Sequence, residues 1–396
     1  MMRLLLNGLA ASAGGGLTYL RNVIPHFAAR TDIETIVALN PDVKGQLGDF
    51  VPLSFVELNS TGGAVKRYWL EQRVLPKLVR ELRTDILISA GNFSLRSSPV
   101  PQILLSRNAL YTCPDFYRDL LRRREYALWL DTHVRSGLAR RSIAWADCTV
   151  APSEAFAREL RRWTGREVIA IHHGFDRRNF FCDHRSLPTE MGEKLGQTEG
   201  SLRLLLVSHY NYYRNFETLL RALPLVREQL AGRDVKLFLT CRLEPGANPG
   251  SYRTAKVAAL VSQLGIGDNV VELDHVPYSQ LHHLYSACDI YVAPAYAESF
   301  AHPLVEAMAS GLPVVASDIA VHREICGDAA VFFPRFSPRE LAAQILHVAQ
   351  DETVAASVAQ QGLRNSERFS WSRHVDQIIS LAKKLKGVGE NVDQAA

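Results

Sequence analysis

Twelve short apolar runs, spaced by longer stretches of helical periodicity, set the limits on what this chain can fold into. In the first half they are Arg3–Leu6, Thr35–Leu39, Ile86–Ser89, Gln102–Leu105, Cys148–Ala151 and Val168–Ile171. In the second half they are Leu202–Val207, Lys236–Thr240, Val270–Leu273, Ile290–Ala293, Pro313–Ser317 and Ala330–Phe333. Runs apolar at consecutive positions fit strands covered on both faces. Helical stretches lie between most of them, for example Val65–Arg83, Ser153–Trp163, Phe216–Gln229 and Pro338–Gln350. Alternation of this kind predicts parallel sheets with helices on both sides. Twelve strands are too many for one such sheet, so two sets of six are expected. Asp183–Ser201, polar and rich in Gly, Glu, Ser and Thr, reads as a linker or surface excursion. The expected organisation is α/β, with two Rossmann-like doubly wound domains, 1–180 and 181–372, facing across a cleft. Ligands of open α/β sheets bind beyond the carboxyl ends of the strands.

Composition narrows the class. The 396 residues are 47% apolar and 22% charged, an ordinary globular balance. No run of about 18 apolar residues is present, which excludes a transmembrane helix on sequence grounds. Up to Phe180 the chain holds 25 basic and 17 acidic residues; the remainder holds 20 and 24. A basic first half suits an anionic partner such as a membrane surface or phosphorylated substrate, or is a solvated face. Nucleic acid is not expected, because no basic tract interleaves with aromatics and no zinc-finger spacing occurs. Six scattered cysteines without C-x-x-C read as buried free thiols of a reducing compartment. Met1–Ala13 has some features of a leader, but a first strand entering a glycine loop fits it better.

The densest motif is Tyr291–Asp318. A buried strand ends at Ala293. A polar loop with Glu298, Ser299, Phe300, Ala301 and His302 follows, and Pro303 suits the start of a helix. Gly311 closes that helix before the next strand. A helix N-terminus offers unpaired N–H groups that bind phosphate. Glu298 and Glu306, on either side of it, suit the hydroxyls that flank a phosphate in a nucleotide sugar. Alternatively, both complement the helix dipole. The motif by itself leaves the two readings open.

This segment resembles the E-x7-E signature of retaining glycosyltransferases of the GT-B fold, the group that includes the family 4 (group 1) enzymes. Val207-Ser208-His209 with Tyr213-Arg214-Asn215-Phe216, Glu324–Asp328 and Phe369-Ser370-Trp371 are similar to further parts of that family. So, more thinly, are Gly14-Gly15-Gly16, Ala151-Pro152-Ser153 and His173–Asp176. The resemblance implies a role for each. Glu298 would hold donor-sugar hydroxyls and Glu306 the ribose. The backbone of Ser299, Phe300 and Ala301 would lie against sugar and diphosphate, with Ser208 and His209 beside them. Arg214 would neutralise the departing diphosphate, where a positioned cation is effective. Gly15 and Gly16 would let backbone approach the reacting centre. The helix at about 373–396 would join the first domain.

The chain departs from the family pattern in places. Ser208 and His209 replace the usual Gly-Arg pair. Ala301 stands where glycine is usual. A first-domain histidine is missing, and Ser106-Arg107-Asn108 occupies its stretch, with Asn108 expected to line the cleft. His173 would meet donor or acceptor, or be a hydrogen-bonded loop residue. His282 and His283 read as surface residues of a helix. No metal site is expected, since no D-x-D or ligand spacing occurs, and no cofactor, since Walker, G-x-S-x-G and G-x-G-x-x-G motifs are absent.

Asp115–Arg141 carries seven arginines with Phe116, Tyr117, Tyr126 and Trp129. As a helix it would be an interfacial surface for a lipid-linked acceptor, or a core helix with a solvated basic face. The expected activity is transfer of a sugar, with retention, from a UDP- or GDP-sugar to a glycan or lipid-linked acceptor. Cytoplasmic polysaccharide or glycoconjugate assembly is the expected setting, at or near the membrane. The alternatives are a sugar-nucleotide epimerase, a phosphorylase needing pyridoxal phosphate, or a scaffolding subunit that kept the fold.

Overall fold

The computed structural model describes residues 1–11, 15–47, 53–59, 63–230, 232–247 and 252–393. Gly14, part of the expected glycine loop, lies outside them. The strands are β1 Met2–Asn7, β2 Ile33–Leu39, β3 Ser54–Glu57, β4 Ile86–Ser89, β5 Gln102–Leu105, β6 Cys148–Ala151, β7 Ile169–Ala170, β8 Leu202–Leu206, β9 Val235–Leu239, β10 Val270–Glu272, β11 Ile290–Ala293, β12 Val314–Ser317 and β13 Val331–Phe333. The helices are α1 Gly15–Ala28, α2 Pro41–Leu47, α3 Gly63–Glu81, α4 Pro114–Arg122, α5 Tyr126–Trp145, α6 Glu154–Thr164, α7 Arg177–Phe180, α8 Thr189–Gly196, α9 Phe216–Gln229, α10 Ala255–Gln263, α11 Leu281–Ser286, α12 His302–Ala309, α13 Ala320–Cys326, α14 Pro338–Gln350, α15 Glu352–Ser366 and α16 Trp371–Asp393.

The strands form two sheets, ordered β3-β2-β1-β4-β5-β6-β7 and β10-β9-β8-β11-β12-β13. Every pairing is parallel, as in β1 with β2 from Met2↔Ile33 to Asn7↔Ala38. Both sheets are doubly wound and Rossmann-like. Leu4, Leu5 and Leu6 of β1 and Leu204 and Leu205 of β8 are fully buried, because these central strands are covered on both faces. The first sheet has seven strands rather than six. The missed strand, β3, is a short edge strand whose Ser54 and Glu57 are exposed. An edge strand needs no continuous apolar run, so it left no signal. Asp183–Ser201 is not merely a linker either, since it contains α8.

The chain divides into two compact units. The first is 1–112, 130–174 and 370–396; the second is 113–129 and 175–369. In the first, α16 lays Trp371, Val375, Ile378, Ile379 and Ala382 on the core that includes Tyr19, Leu20 and Ile24 of α1. In the second, α14 and α15 carry Leu341, Ile345, Leu346 and Val358 into the core. Residues 113–129 fall inside the first half of the sequence but cluster with the second sheet. Among the described residues, no helix is long and apolar enough to cross a membrane. Cys113, Cys241, Cys288 and Cys326 are buried, whereas Cys182 is exposed, against expectation.

Candidate functional site

In each sheet the strand order reverses once, between β1 and β4 and between β8 and β11. The carboxyl ends of the strands beside such a reversal are where open α/β sheets bind ligands. In the second unit, the segment after β8 carries Ser208, His209 and Arg214. The loop after β11 carries Glu298, Ser299, Phe300 and Ala301 and runs into α12. Two segments far apart in sequence thus converge on one point.

Their meeting is an ion pair from Arg214 Nη1 to Glu298 Oε1. Arg214 is fixed from several sides. Its guanidinium lies 5.3 Å from the Tyr213 ring centroid. The next residue, Asn215, takes a left-handed backbone (φ 57°), which Asn tolerates. Buried Asn215 Nδ2 donates to the carbonyls of Pro294 (3.0 Å) and Arg335 (2.6 Å), and Thr218 Oγ1 donates to its Oδ1. The Tyr296 N–H donates to the Tyr213 carbonyl at 3.0 Å, which ties the two segments directly. A small cavity is lined by Arg214, Glu298, Ala301, Pro303, Leu206 and His322, among others.

Ala301 precedes α12 with φ 67° and ψ 67°. Glycine adopts this left-handed conformation freely and alanine does not, so the residue replacing the usual glycine is strained. Pro303 occupies the first turn of α12 as expected. Phe300 is a buried anchor, with ring centroids 4.9 Å from His302 and 5.4 Å from Phe369. Anchoring its side chain presents the backbone of 299–301 at the helix N-terminus, an anion-binding feature.

Glu306 lies on the second turn of α12 and is buried, accepting from Tyr285 Oη at 2.9 Å. Burial pushes its carboxyl up to about 7, against the opposing effect of the Tyr285 hydrogen bond. The Ser208 N–H donates to Thr240 Oγ1 at 3.0 Å. The His209 ring stacks on His275 at 6.3 Å, and burial, then His275 and Arg214, lowers its pKa.

The sequence marked Asp115–Arg141 for its arginines; the structure shows carboxylates on α4 and just beyond its end bracing both site segments. Asp119 accepts from Tyr296 Oη (3.0 Å) in the Glu298 loop, and Glu125 from Tyr212 Oη (2.9 Å) beside Arg214. Arg123 pairs with Glu217 at 2.7 Å and stands 4.1 Å from the Tyr212 ring centroid, while Arg335 pairs with Asp115 at 2.5 Å. Aromatic residues at 212, 213 and 296 next to the motif were the available signal. Phe116 is buried and is not part of a surface. His282 is likewise buried against the Phe180 and Phe181 rings rather than on the surface.

The remaining expected site residues belong to the first unit. Gly15 and Gly16 open α1, and the Gly15 carbonyl accepts from Arg107 Nη1 at 3.4 Å. Asn108 caps a turn, its Oδ1 accepting from the Leu110 N–H at 3.0 Å. His173 is buried among the rings of Tyr19 (5.3 Å), Trp371 (5.3 Å) and His374 (5.5 Å). Arg107, 4.6 Å from the Tyr19 ring centroid, is half-buried beside this cluster. No group of three or more His, Cys, Asp or Glu side chains placed to hold a metal occurs among the described residues.

Two doubly wound parallel sheets, with an arginine–glutamate pair beside a helix N-terminus in the second, define a Rossmann-like α/β protein. Residues 13–179 match the family described as Glycosyltransferase Family 4, and residues 189–365 match Glycosyl transferases group 1. The chain belongs to this glycosyltransferase family. O-antigen chain mannosyltransferase B of Escherichia coli is 34% identical over 113 residues, 28% of this chain and 30% of that protein. The chain thus aligns with under a third of that relative's length. Among solved structures, sucrose-phosphate synthase of Thermosynechococcus elongatus superposes with a TM-score of 0.73 at 18% identity, covering 98% of this chain and all of that one. Anabaena HepE in complex with UDP gives 0.69 at 20% identity, covering 97% and 100%; it is also known with UDP-glucose. These likenesses show the GT-B fold.

Proposed function

We propose that this protein transfers a sugar, with retention, from a nucleotide-sugar donor to an acceptor hydroxyl. The convergence of Arg214 and Glu298 at the second sheet's reversal point carries the reading. Glu298 accepts hydrogen bonds from donor-sugar hydroxyls. The amides at the start of α12 and the Arg214 guanidinium receive the diphosphate. Glu306, set one turn further along α12, takes the ribose hydroxyls. As the anomeric bond lengthens, charge collects on the diphosphate, and a fixed cation with helix-end amides stabilises it there. The departing diphosphate takes the acceptor's proton on the same face, so no enzyme nucleophile is needed and the configuration is kept. Gly15 and Gly16 keep the donor-side role, and Asn108 and His173 the catalytic role, that the family resemblance implies. HepE, a neighbour in fold, is known with UDP and UDP-glucose, which favours a uridine donor; a guanosine donor is the competing choice.

The acceptor is a glycan or lipid-linked sugar. An exposed strip on α5 supports work at a membrane surface: Tyr126, Leu130 and Val134 are 62%, 59% and 65% exposed at four-residue spacing. Exposed Arg122, Arg124, Arg140 and Arg141 lie on or just before the same helix. Together these fit an anionic, partly apolar surface.

The first test is a thermal-shift series with UDP, GDP, ADP, dTDP and CMP, with and without EDTA. One nucleoside diphosphate that raises the melting temperature regardless of EDTA supports a metal-free donor site. With that donor, Glu298→Ala should abolish transfer while the protein stays folded. Unchanged turnover would sink the assignment. Conversion of a nucleotide sugar without any acceptor would point to an epimerase, and no nucleotide binding to a scaffold.

A further inference from the structure

Buried in the wall of the Arg214–Glu298 cavity is a histidine that the motifs did not mark. His322 lies on the first turn of α13 and is fully buried. Its Nδ1 is 3.1 Å from the Ser317 carbonyl oxygen and 3.0 Å from Ser317 Oγ. A carbonyl oxygen only accepts, and the Ser317 hydroxyl donates to the Ala295 carbonyl. Nδ1 therefore carries the proton, and Nε2 presents a bare lone pair. Burial, with the nearby Arg214 charge, lowers the ring's pKa to about 3, so it stays neutral.

His322 Nε2 is a buried polar atom with no hydrogen-bond partner, and so is Arg214 Nε. One is an acceptor and the other a donor, and their side chains line the same cavity. The cavity has room for roughly one water molecule. Buried polar atoms are normally satisfied, and two complementary ones on one small cavity satisfy each other at least cost. Glu298 is the other hold on the guanidinium, and in the reading above it turns to the donor sugar when the site fills.

Resting on that reading, we propose that His322 is a positioning residue for Arg214. Its Nε2 accepts from the Arg214 Nε–H, directly or through one water, and keeps the guanidinium aimed at the diphosphate while Glu298 engages the sugar.

The test compares binding of a nucleoside diphosphate with that of the monophosphate of the same base, using the full chain. His322→Asn keeps a donor at the Nδ1 position and removes the acceptor. His322→Gln does the reverse. The Asn variant should lose about tenfold in diphosphate affinity, the worth of one hydrogen bond to a charged group, with monophosphate binding within about twofold. The Gln variant should recover most of the loss. A structural role alone would lower the melting temperature of both variants and leave the diphosphate-to-monophosphate ratio unchanged, which overturns the proposal. If one variant does not fold, the other decides alone: a tenfold loss in Gln, or none in Asn, refutes it. Arg214→Ala separates the two layers. If it leaves the ratio unchanged, the diphosphate role of Arg214 falls and His322's role with it. If Arg214→Ala collapses the ratio and His322→Asn does not, only the role of His322 falls.

Discussion

Glu306 carries a proton at a pH where an ordinary glutamate has lost it. Its carboxyl titrates near 7 in the folded chain because burial disfavours the anion. Unfolded, it titrates near 4.3. The folded state holds the proton more tightly, so this contribution to stability is complete below the unfolded value and is lost as pH rises towards 7. Glu71 behaves alike, also near 7, burial again being the main cause. The expected result is that wild type loses urea stability relative to Glu306→Gln as pH rises from about 5 to about 8, whatever the buried histidines do to both. Parallel pH profiles of the two proteins would contradict it. At Ala301 the left-handed backbone costs the native state free energy that glycine would not incur. Ala301→Gly should therefore stabilise the fold by about 0.5–1 kcal/mol despite the extra chain entropy; a lower unfolding midpoint would refute the strain. At this scale the sequence was legible wherever chemistry was local. Glu298, Ala301 and Glu306 lie on one loop and helix, so their spacing reports their geometry. His322 and Asn215 act through partners distant in the chain, and spacing says nothing of those.

Among the elements, α4 and α5 differ most from what their composition implied. Two features around α4 matter: Asp119 on it and Glu125 beyond its end reach the site segments, and Arg123, also just beyond its end, pairs with Glu217 at 14% and 13% side-chain exposure. Removing one partner leaves the other charge poorly solvated, so Arg123→Leu should cost about 2 kcal/mol or more. Adding Glu217→Leu should return most of it, as a double-mutant cycle by chemical denaturation would show. The exposed α5 strip makes a separate prediction. The protein should sediment with anionic vesicles at low salt, and Leu130→Glu with Val134→Glu should abolish this without changing nucleotide binding. Equal sedimentation of the double variant would remove α5 from the contact. Periodicity found the interior strands almost residue for residue, because a strand covered on both faces must be apolar throughout. It took Asp115–Arg141 as one helix, whereas the chain breaks at Arg123–Glu125 between α4 and α5.

For the whole molecule, two doubly wound sheets were legible, because strand–helix alternation has few compact solutions. The path of the chain between them was not. Division near residue 181 follows the composition, but 113–129 belongs to the other unit, held there by ion pairs and phenol hydrogen bonds that no local pattern encodes. Expression of 181–372 alone should therefore give a protein that unfolds without a sharp transition by calorimetry. It lacks the Asp119 partner of Tyr296, the Arg123 partner of Glu217 and the Glu125 partner of Tyr212. A sharp transition in that fragment would show the insert to be dispensable.

The same excursion bears on how such chains can be recombined. An enzyme whose donor half ended at a simple linker would exchange that half by a single crossover. Here a crossover near 181 leaves behind seventeen residues, 113–129, that brace the incoming half's two site segments. A working chimaera must then either inherit α4 from the same parent as Arg214 and Glu298 or meet a compatible one by chance. In the proposed reading, donor choice and the middle of the amino-terminal half are thereby linked in inheritance, although they look separable on a linear map of the gene.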